Sequence, residues 1–234
     1  MSDAPHGVDA ERQAVAEARR GELRARGTGS LAERLWDLDW RTHFPAVVSR
    51  DGDVSADIIS SQAFLAFAVA HYPVIFKAPN RGLLQLRQHV SRSRFYEQEA
   101  DLFGFFHGQE LVGVCAANAT DWSTYYLRSA GILPAYQGQG VWRSFLERLL
   151  VILREQTVER VEGDVDPTNE IEVLAFTRFG FLVTGQTISE RWGSLVKFTK
   201  FLNPACETTF RRQFCSAFSE ASPSQSGFWD SEPS

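Results

Sequence analysis

The chain has 234 residues, of which 44% are hydrophobic and 23% are charged, and its formal net charge is -5. These values are usual for a soluble globular protein with one domain of ordinary size. The negative charge argues against a general affinity for nucleic acid or an anionic membrane, so neither is expected as a partner. The N-terminal residues lack the apolar core of a signal peptide, and the apolar run 63–70 is too short to span a bilayer.

The three cysteines are Cys115, Cys206 and Cys215. Their number is odd and no two of them form a CxxC pair, so they predict neither a disulfide framework nor a metal site. A reducing, cytoplasmic setting without a resident metal is the simplest expectation.

Composition divides the chain into three parts. Residues 1–30 are rich in Ala, Arg and Glu and predict a flexible or helical arm, while residues 204–234 predict a C-terminal extension that is partly disordered. Residues 31–203 are predicted to form one domain, with a divergent N-terminal part, 31–100, and a core, 101–203.

The divergent part carries few clear patterns. Residues 60–71 predict a helix with a serine N-cap, and residues 83–96 predict a second helix. Residues 72–76, between them, predict either a strand or a buried link. Trp36 and Trp40 are four residues apart, which suits one face of a helix.

The core begins with two short apolar runs, 101–106 and 111–117, whose turn contains Gly108. They predict a β-hairpin. Residues 123–133 predict a third strand. From Trp142 onward, apolar residues recur at the spacing of an amphipathic helix.

The second half of the core alternates strands and helices. Residues 158–165 alternate apolar and charged side chains and predict a strand, and residues 169–179 predict a helix that Gly180 ends. Residues 181–188 and 195–201 predict the last two strands. This order of elements predicts a mixed α/β (α+β) domain.

A glycine loop, Gly138-Gln139-Gly140, lies between the third strand and the amphipathic helix. The first N–H groups of a helix have no intrahelical partner, and the helix dipole adds positive charge there, so such a loop is typical of an anion site. The P-loop pattern is absent, and a dinucleotide-binding motif would need a third glycine where Arg143 stands.

The sequence around this loop, residues 132–140, resembles the acyl-CoA loop of the GNAT acyltransferase superfamily. The family's pattern has an apolar residue, then a proline, an Arg or Gln, and two small residues near the helix start. Here Gln137 takes the Arg or Gln position and Gly140 that of the first required glycine. Trp142 departs from the pattern, which has Gly or Ala there.

A second segment matches the family's spacing. Asn169 is followed seven residues later by Phe176, and Gly180-Phe181 come four residues after that; Phe176 replaces the family's Tyr. The resemblance implies a mixed, mostly antiparallel central sheet flanked by helices, with a splayed strand pair that forms the acyl-donor cleft.

The resemblance also implies how an acyl donor, acetyl-CoA or another acyl-CoA, would bind. Its pantetheine would lie between the strand ending at Leu133 and the strand 158–165, and its diphosphate on the N–H groups of residues 138–142. The residues with an implied donor-binding role are Ile132, Leu133, Gln137, Gly138, Gln139, Gly140, Val141, Trp142, Asn169 and Phe176.

A small-molecule or peptide amine is the implied acceptor, and it would attack the thioester directly. The protein must then take a proton from the amine and protonate the leaving thiolate. Asp164 and Glu162 lie on one face of their predicted strand, close to the expected cleft. They are the candidate bases, because crowded carboxylates raise at least one pKa toward neutrality.

A tyrosine protonates the thiolate in many family members, and Phe176 cannot do so. Tyr125, Tyr126 and Tyr136 are the nearest substitutes in the sequence, and Tyr126 is the predicted catalytic tyrosine. Simple strand alternation puts Tyr126 on the same face as Ile132 and puts Tyr125 on the opposite face.

The two departures from the family's pattern leave alternatives open. Trp142, beside the implied diphosphate seat, could favour a donor without the nucleotide part, such as an acyl thioester on an acyl carrier protein. Phe176 could instead indicate a non-catalytic module that binds a partner. A homodimer also stays open.

Overall fold

The computed structural model describes residues 29–76, 90–189 and 193–215. Over these ranges eight strands form one sheet: β1 (Ala46–Val47), β2 (Val54–Ile58), β3 (Asp101–His107), β4 (Glu110–Ala119), β5 (Thr124–Ile132), β6 (Arg160–Val165), β7 (Leu182–Ser189) and β8 (Gly193–Phe201). Their spatial order is β1-β2-β3-β4-β5-β6-β8-β7. Every neighbouring pair is antiparallel except β5 and β6, which are parallel.

Helices cover both faces of the sheet. They are α1 (Leu31–Trp36), α2 (Ser61–Ile75), α3 (Val90–Gln98), α4 (Val141–Glu155), α5 (Glu170–Arg178) and α6 (Pro204–Phe210), with a π turn at Arg211–Cys215 directly after α6. The predicted mixed, mostly antiparallel sheet flanked by helices is therefore confirmed. No described helix is both long and apolar enough to cross a membrane.

The larger core cluster lies on the face that α4 and α5 cover, which we call the α4 face. Helix α4 buries Phe145, Leu146, Leu149 and Leu153 against this face, as its apolar spacing predicted. Phe145 lies 5.0 Å from Phe103, measured between ring centroids. Burying a side chain of this size contributes roughly 1.5–3 kcal/mol, so α4 is held mainly by its apolar face.

The smaller core cluster lies under α2 and α3, on the α2 face. Phe64, Phe67 and Tyr72 of α2 pack there with Tyr96 of α3 and residues of β3 and β4. Helix α2 continues through Pro73 to Ile75, so the prediction of a strand or link over residues 72–76 was wrong. Tertiary packing accounts for this, because Tyr72 and Ile75 lie directly over Gly131, where an added Cβ would be 2.9 Å from Tyr72.

A buried carboxylate joins the N-terminal segment to the sheet. Asp101 accepts hydrogen bonds from Trp40 Nε1 at 2.7 Å, from the Tyr125 hydroxyl at 2.9 Å and from the Ser30 hydroxyl. Burial raises the pKa of Asp101 to about 7. Trp36 ends α1 whereas Trp40 begins a separate 3-10 turn, so the two tryptophans do not share one helix.

Strand β5 contains a bulge that sequence alternation could not reveal. Leu127 pairs with Ala117 and Ser129 with Ala116, so Arg128 is an extra residue on β5. The bulge reverses the alternation beyond it. Ile132 therefore joins Tyr125 on the α4 face while Tyr126 faces the other side, and the predicted grouping of Tyr126 with Ile132 was wrong.

Several predicted segments lie wholly or partly outside the described residues. They are most of the N-terminal arm, the first residues of the helix predicted over 83–96, the tip of the β7–β8 hairpin and the C-terminal tail beyond Cys215. The described part of the C-terminal extension is α6 with its π turn. Asn203 caps α6 by accepting a hydrogen bond from the Ala205 N–H.

Candidate active site

A cleft opens where β5 and β6 separate. Residues 124–127 of β5 pair with residues 160–163 of β6, and the pairing stops there. On their outer sides both strands remain paired, β5 with β4 as far as Ile132 and β6 with β8 as far as Val165. The facing edges of the two strands beyond this point make no ladder with each other, so their backbone groups are available to a ligand, as the predicted splay requires.

The glycine loop lies at the far end of this cleft. Gly138 and Gly140 have φ values of +78° and +85°, a conformation that favours glycine. Gln137 donates a hydrogen bond from Nε2 to the Ile132 carbonyl at 2.8 Å, and Gln139 donates one to the Ala135 carbonyl at 2.9 Å. The two side chains therefore hold the loop in its bend between β5 and α4.

Gly140 is the N-cap residue of α4, and no side chain caps the helix within the part of the chain that the structure describes. The first N–H groups of α4 are consequently directed outward at the positive end of the helix dipole. Such a helix start can hold an anionic group through backbone N–H groups alone.

Arg50 adds a positive charge at the same place. It lies in the turn between β1 and β2, and a Cβ added to Gly140 would be 3.3 Å from Arg50 Cγ and 3.4 Å from its Nε. Sequence reasoning missed this residue, because nothing in the divergent segment indicates that its turn folds against a loop 90 residues later. Its charge reinforces the anion-binding character of the α4 start.

Trp142 packs toward the core. Its ring centroid lies 5.8 Å from that of Phe145, and the side chain is half-buried against the α4-face cluster. Val141, before it, is fully buried. The Trp142 indole therefore contributes to the larger core cluster beside Phe145 of α4.

Phe176 occupies the point at which β5 and β6 separate. Its ring is buried, with centroids 4.6 Å from Phe181 and 5.5 Å from Phe198. It lies close to Gly163, the last residue of β6 that pairs with β5, and a Cβ added at Gly163 would be 2.9 Å from Phe176 Cε1. Asn169 caps α5, with its side chain accepting a hydrogen bond from the Glu172 N–H.

Glu172 is a further acidic group on this side of the cleft. It precedes Phe176 by one helical turn, and its carboxylate accepts a hydrogen bond from Asn169 Nδ2 at 2.8 Å. Burial raises the pKa of the Cys115 thiol on β4, and the Asp101 and Glu172 carboxylates add smaller contributions in the same direction. Burial raises the pKa of Glu172 to about 7. In the sequence it resembles an ordinary acidic residue of a first helical turn, so it gave no functional signal.

The three predicted catalytic residues meet on the α2 face. The Tyr126 hydroxyl donates a hydrogen bond to Asp164 Oδ2 at 3.0 Å. Lys197 of β8 lies between the carboxylates, with Nζ 3.1 Å from Glu162 Oε2 and 3.7 Å from Asp164 Oδ1. Burial, and secondly the Asp164 carboxylate, raise the pKa of Tyr126, so this hydroxyl remains protonated near neutral pH.

Arg128 borders this cluster. The bulge directs its guanidinium over the Phe95 ring at 4.6 Å and over the Tyr126 ring at 5.3 Å, while its Nε donates to Asn118 Oδ1 at 3.0 Å. Lys197 Nζ is 5.7 Å from the centroid of the Tyr126 ring, so two cationic groups lie near this ring.

The other two tyrosines have different surroundings. Tyr125 is buried and donates to Asp101, so its hydroxyl does not face the cleft. The Tyr136 hydroxyl lies 3.4 Å from His107 Nδ1, at the far end of the β3–β4 hairpin. Of the three tyrosines, only Tyr126 contacts a candidate base.

Comparison with known proteins agrees with this geometry. Residues 71–181 match the model of the acetyltransferase (GNAT) family. The yncA protein of Salmonella typhimurium, whose structure holds its cofactor acetyl-CoA, is 17% identical with a TM-score of 0.51, over 64% of this chain and 95% of that chain. A chimera of the spermidine N-acetyltransferase SpeG from Vibrio cholerae and hSSAT is 15% identical with a TM-score of 0.50, over 66% of this chain and 99% of that chain. At these identities the likeness is one of fold. A search of curated proteins found no match.

Proposed function

We propose that this chain transfers an acyl group from an acyl-CoA thioester to an amine by direct attack, since residues 71–181 match the model of the GNAT acetyltransferase family. The observation that carries the proposal is the cleft between β5 and β6, which begins beside Tyr126 and Asp164 and leads to the uncapped start of α4. Such a cleft would offer an extended donor unpaired backbone groups of β5 and β6 as hydrogen-bond partners for its amides, and an anion site for its phosphates.

The donor seat combines residues expected from the sequence with Arg50. The edge around Ile132 and Leu133 would pair with the pantetheine amides. The N–H groups of residues 138–142 would hold the diphosphate. Arg50 would add a charged contact there, and Asn169 and Phe176 would line the α5 side. The inward packing of Trp142 against Phe145 supports a donor that keeps its nucleotide part.

Asp164 is the proposed general base. Its Oδ2 accepts the Tyr126 hydrogen bond, whereas its buried Oδ1 has no hydrogen-bond partner in the described chain. Lys197 Nζ lies 3.7 Å from this oxygen, too far for a hydrogen bond. A buried carboxylate oxygen without a hydrogen bond is costly unless a ligand supplies one, and an amine N–H is a suitable donor. Glu162 is less suited to this role, because Lys197 Nζ already donates to its Oε2.

Glu172 is the proposed acid that protonates the leaving thiolate. It lies one turn from Phe176, the position at which the family's tyrosine would stand, and on the α4 face, opposite Asp164. The two carboxyl groups are therefore separated by the sheet, so one can accept the amine proton while the other donates a proton to sulfur. A carboxyl group that is partly protonated at neutral pH is suited to this step.

Titration calorimetry with acetyl-CoA and longer acyl-CoAs tests the donor part of the proposal. We expect binding with a micromolar dissociation constant, and a panel of amines should then show turnover with formation of free CoA. If no acyl-CoA binds, the proposal is wrong. If free CoA at micromolar concentration competes fully for the donor site, the alternative in which an acyl carrier protein supplies the donor would also be excluded.

A further inference from the structure

A pocket of about 530 Å³ lies on the α2 face, beside the cluster of Tyr126, Glu162 and Asp164 and under helix α6. Its floor consists of side chains from β6, β8 and β7, including Arg160, Glu162, Lys197 and Thr199. Its wall consists of Phe201 together with Phe210 and Phe214, which α6 and the π turn contribute. A volume of this size suits a small organic ligand.

The pocket adjoins the proposed base directly. Lys197 and Glu162 line it, and the same Lys197 Nζ lies 3.7 Å from Asp164 Oδ1. Two residues along a strand span roughly 7 Å. The distance along β6 from Asp164 to Glu162 can therefore be bridged by a short alkyl chain attached to an amine placed at Asp164. A molecule whose amine meets Asp164 can therefore place its remaining part in this pocket.

The wall is a continuous row of aromatic rings. The Phe201 and Phe210 centroids are 5.3 Å apart with an interplanar angle of 37°, and those of Phe210 and Phe214 are 5.1 Å apart at 39°. Phe214 at the end of the row is 63% exposed, so its ring is only partly covered by the described chain. Aromatic rings stack at centroid distances in this range, so the row can be extended by one more ring.

The charges of the pocket restrict the ligand further. Arg160, Lys197 and Glu162 line it, and Asp164 adjoins it, so two cations face two carboxylates, and both carboxylates already lie beside Lys197. A second or third ammonium group on the acceptor would therefore meet no carboxylate in the described lining that lacks a cation. An uncharged ring needs no such partner.

We propose that the acceptor is a monoamine that carries an aromatic ring on a short alkyl chain, and that Phe210 and Phe214 bind this ring. The inference rests on the proposed acyl transfer, since it places the amine at Asp164. It assigns a specificity role to helix α6, which follows β8 in the sequence and lies beyond residues 71–181 that match the family model.

An acceptor panel with acetyl-CoA as donor tests the inference in the full-length protein. Phenethylamine should have the highest kcat/KM, above cyclohexylethylamine, which has similar size without a π system, and above butylamine and spermidine. Phe210→Ala and Phe214→Ala should each raise KM for phenethylamine about tenfold through loss of ring contact, with butylamine turnover unchanged. Phe214→Leu should lose most of the preference for phenethylamine over cyclohexylethylamine.

Ile188→Ala is the matched control, because Ile188 is a large apolar side chain on β7 that is 78% exposed and does not line the pocket. It should leave all acceptors unchanged. Equal kcat/KM for phenethylamine and butylamine, or a preference for spermidine, would overturn the ring pocket while leaving acyl transfer intact. Absence of acyl-CoA binding would instead overturn acyl transfer. Direct titration of phenethylamine without donor tests the pocket in that case, and no difference between wild type and Phe210→Ala would overturn it.

Discussion

The two faces of β5 and β6 differ sharply at the point where the strands separate. On the α4 face, the ring of Phe176 fills the space over Gly163 and leaves no room for a methyl group. On the α2 face, one residue further along β6, Asp164 meets Tyr126 and Lys197. Successive residues of one short strand thus build a close-packed wall and a charged cluster on opposite faces of the sheet. If the protein is an acyltransferase as proposed, the two faces can be altered separately, one for donor binding and the other for acceptor chemistry.

The largest expected effect comes from changing Asp164 in the charged cluster on the α2 face. Asp164→Asn should lower kcat about 1000-fold, because general-base catalysis contributes roughly 10²–10⁴-fold. Acetyl-CoA affinity, measured by calorimetry, should stay within twofold, since the α4 face is unchanged. Glu162→Gln is the control and should lower kcat less than tenfold. A similar loss in both variants would show that the cluster acts as a unit and that Asp164 has no special role.

Glu172→Gln examines the proposed acid, which lies on the α4 face. The acid must be protonated to act, so kcat of the wild type should fall as the pH rises through about 7, where burial places the pKa of Glu172. The variant should be roughly 30-fold slower, within the range for general-acid catalysis, and should lack this fall. The measurement is kcat from pH 5.5 to 9. A variant that keeps the wild-type pH profile would exclude Glu172 as the acid.

Gly163→Ala tests the close packing of the α4 face. The new methyl group would be 2.9 Å from Phe176 Cε1, so unfolding free energy should drop by about 2 kcal/mol through overpacking. Gly185→Ala on β7 is the control, because its nearest neighbour, Lys197 Cβ, would be 3.9 Å away. Urea unfolding of both variants measures the difference, and Phe176→Leu added to Gly163→Ala should recover part of the loss. Equal stability of the two alanine variants would contradict the packing described.

The smallest expected effect lies at the distal end of the cleft. Arg50→Ala should weaken acetyl-CoA binding about fivefold, the value of one exposed charged contact to a phosphate, and the loss should shrink at high salt. Arg154→Ala removes an exposed arginine from the opposite end of α4 and should have no effect. Equal affinities of the Arg50 and Arg154 variants would remove Arg50 from the donor seat.

What the sequence predicted correctly depended on local patterns. The apolar spacing after Trp142 predicted α4, and the two motifs that resemble the GNAT family implied the splayed pair, whereas the anion site at the glycine loop stays a prediction. The predicted faces of β5 failed at Arg128, because a bulge depends on how β4 and β5 pair and leaves no mark on either strand alone. Pairing between distant segments cannot be read from local spacing.

The same limit applies to the site. Asp164, Glu162 and Tyr126 were candidates because strand alternation and the family resemblance placed them near the cleft. Lys197, which lies between the two carboxylates, comes from the strand predicted over 195–201, which carried no functional signal in the sequence. Arg50 reaches the site only through tertiary contact. The catalytic and donor-binding roles of these residues stay predictions until the variants are measured.

The buried carboxylate of Asp101 has a consequence for how much of the chain forms the folding unit. Two of its three hydrogen-bond donors, Ser30 and Trp40, precede residue 71, where the family match begins. A fragment that starts at residue 71 keeps only Tyr125 as a donor and leaves an acid facing an apolar cavity where the Trp40 indole had been. We expect such a fragment to aggregate or unfold, because a buried carboxyl group that keeps one of its three donors is poorly satisfied in a protein interior. We therefore expect the smallest autonomous unit to include Ser30 and Trp40, which precede the residues that match the family model.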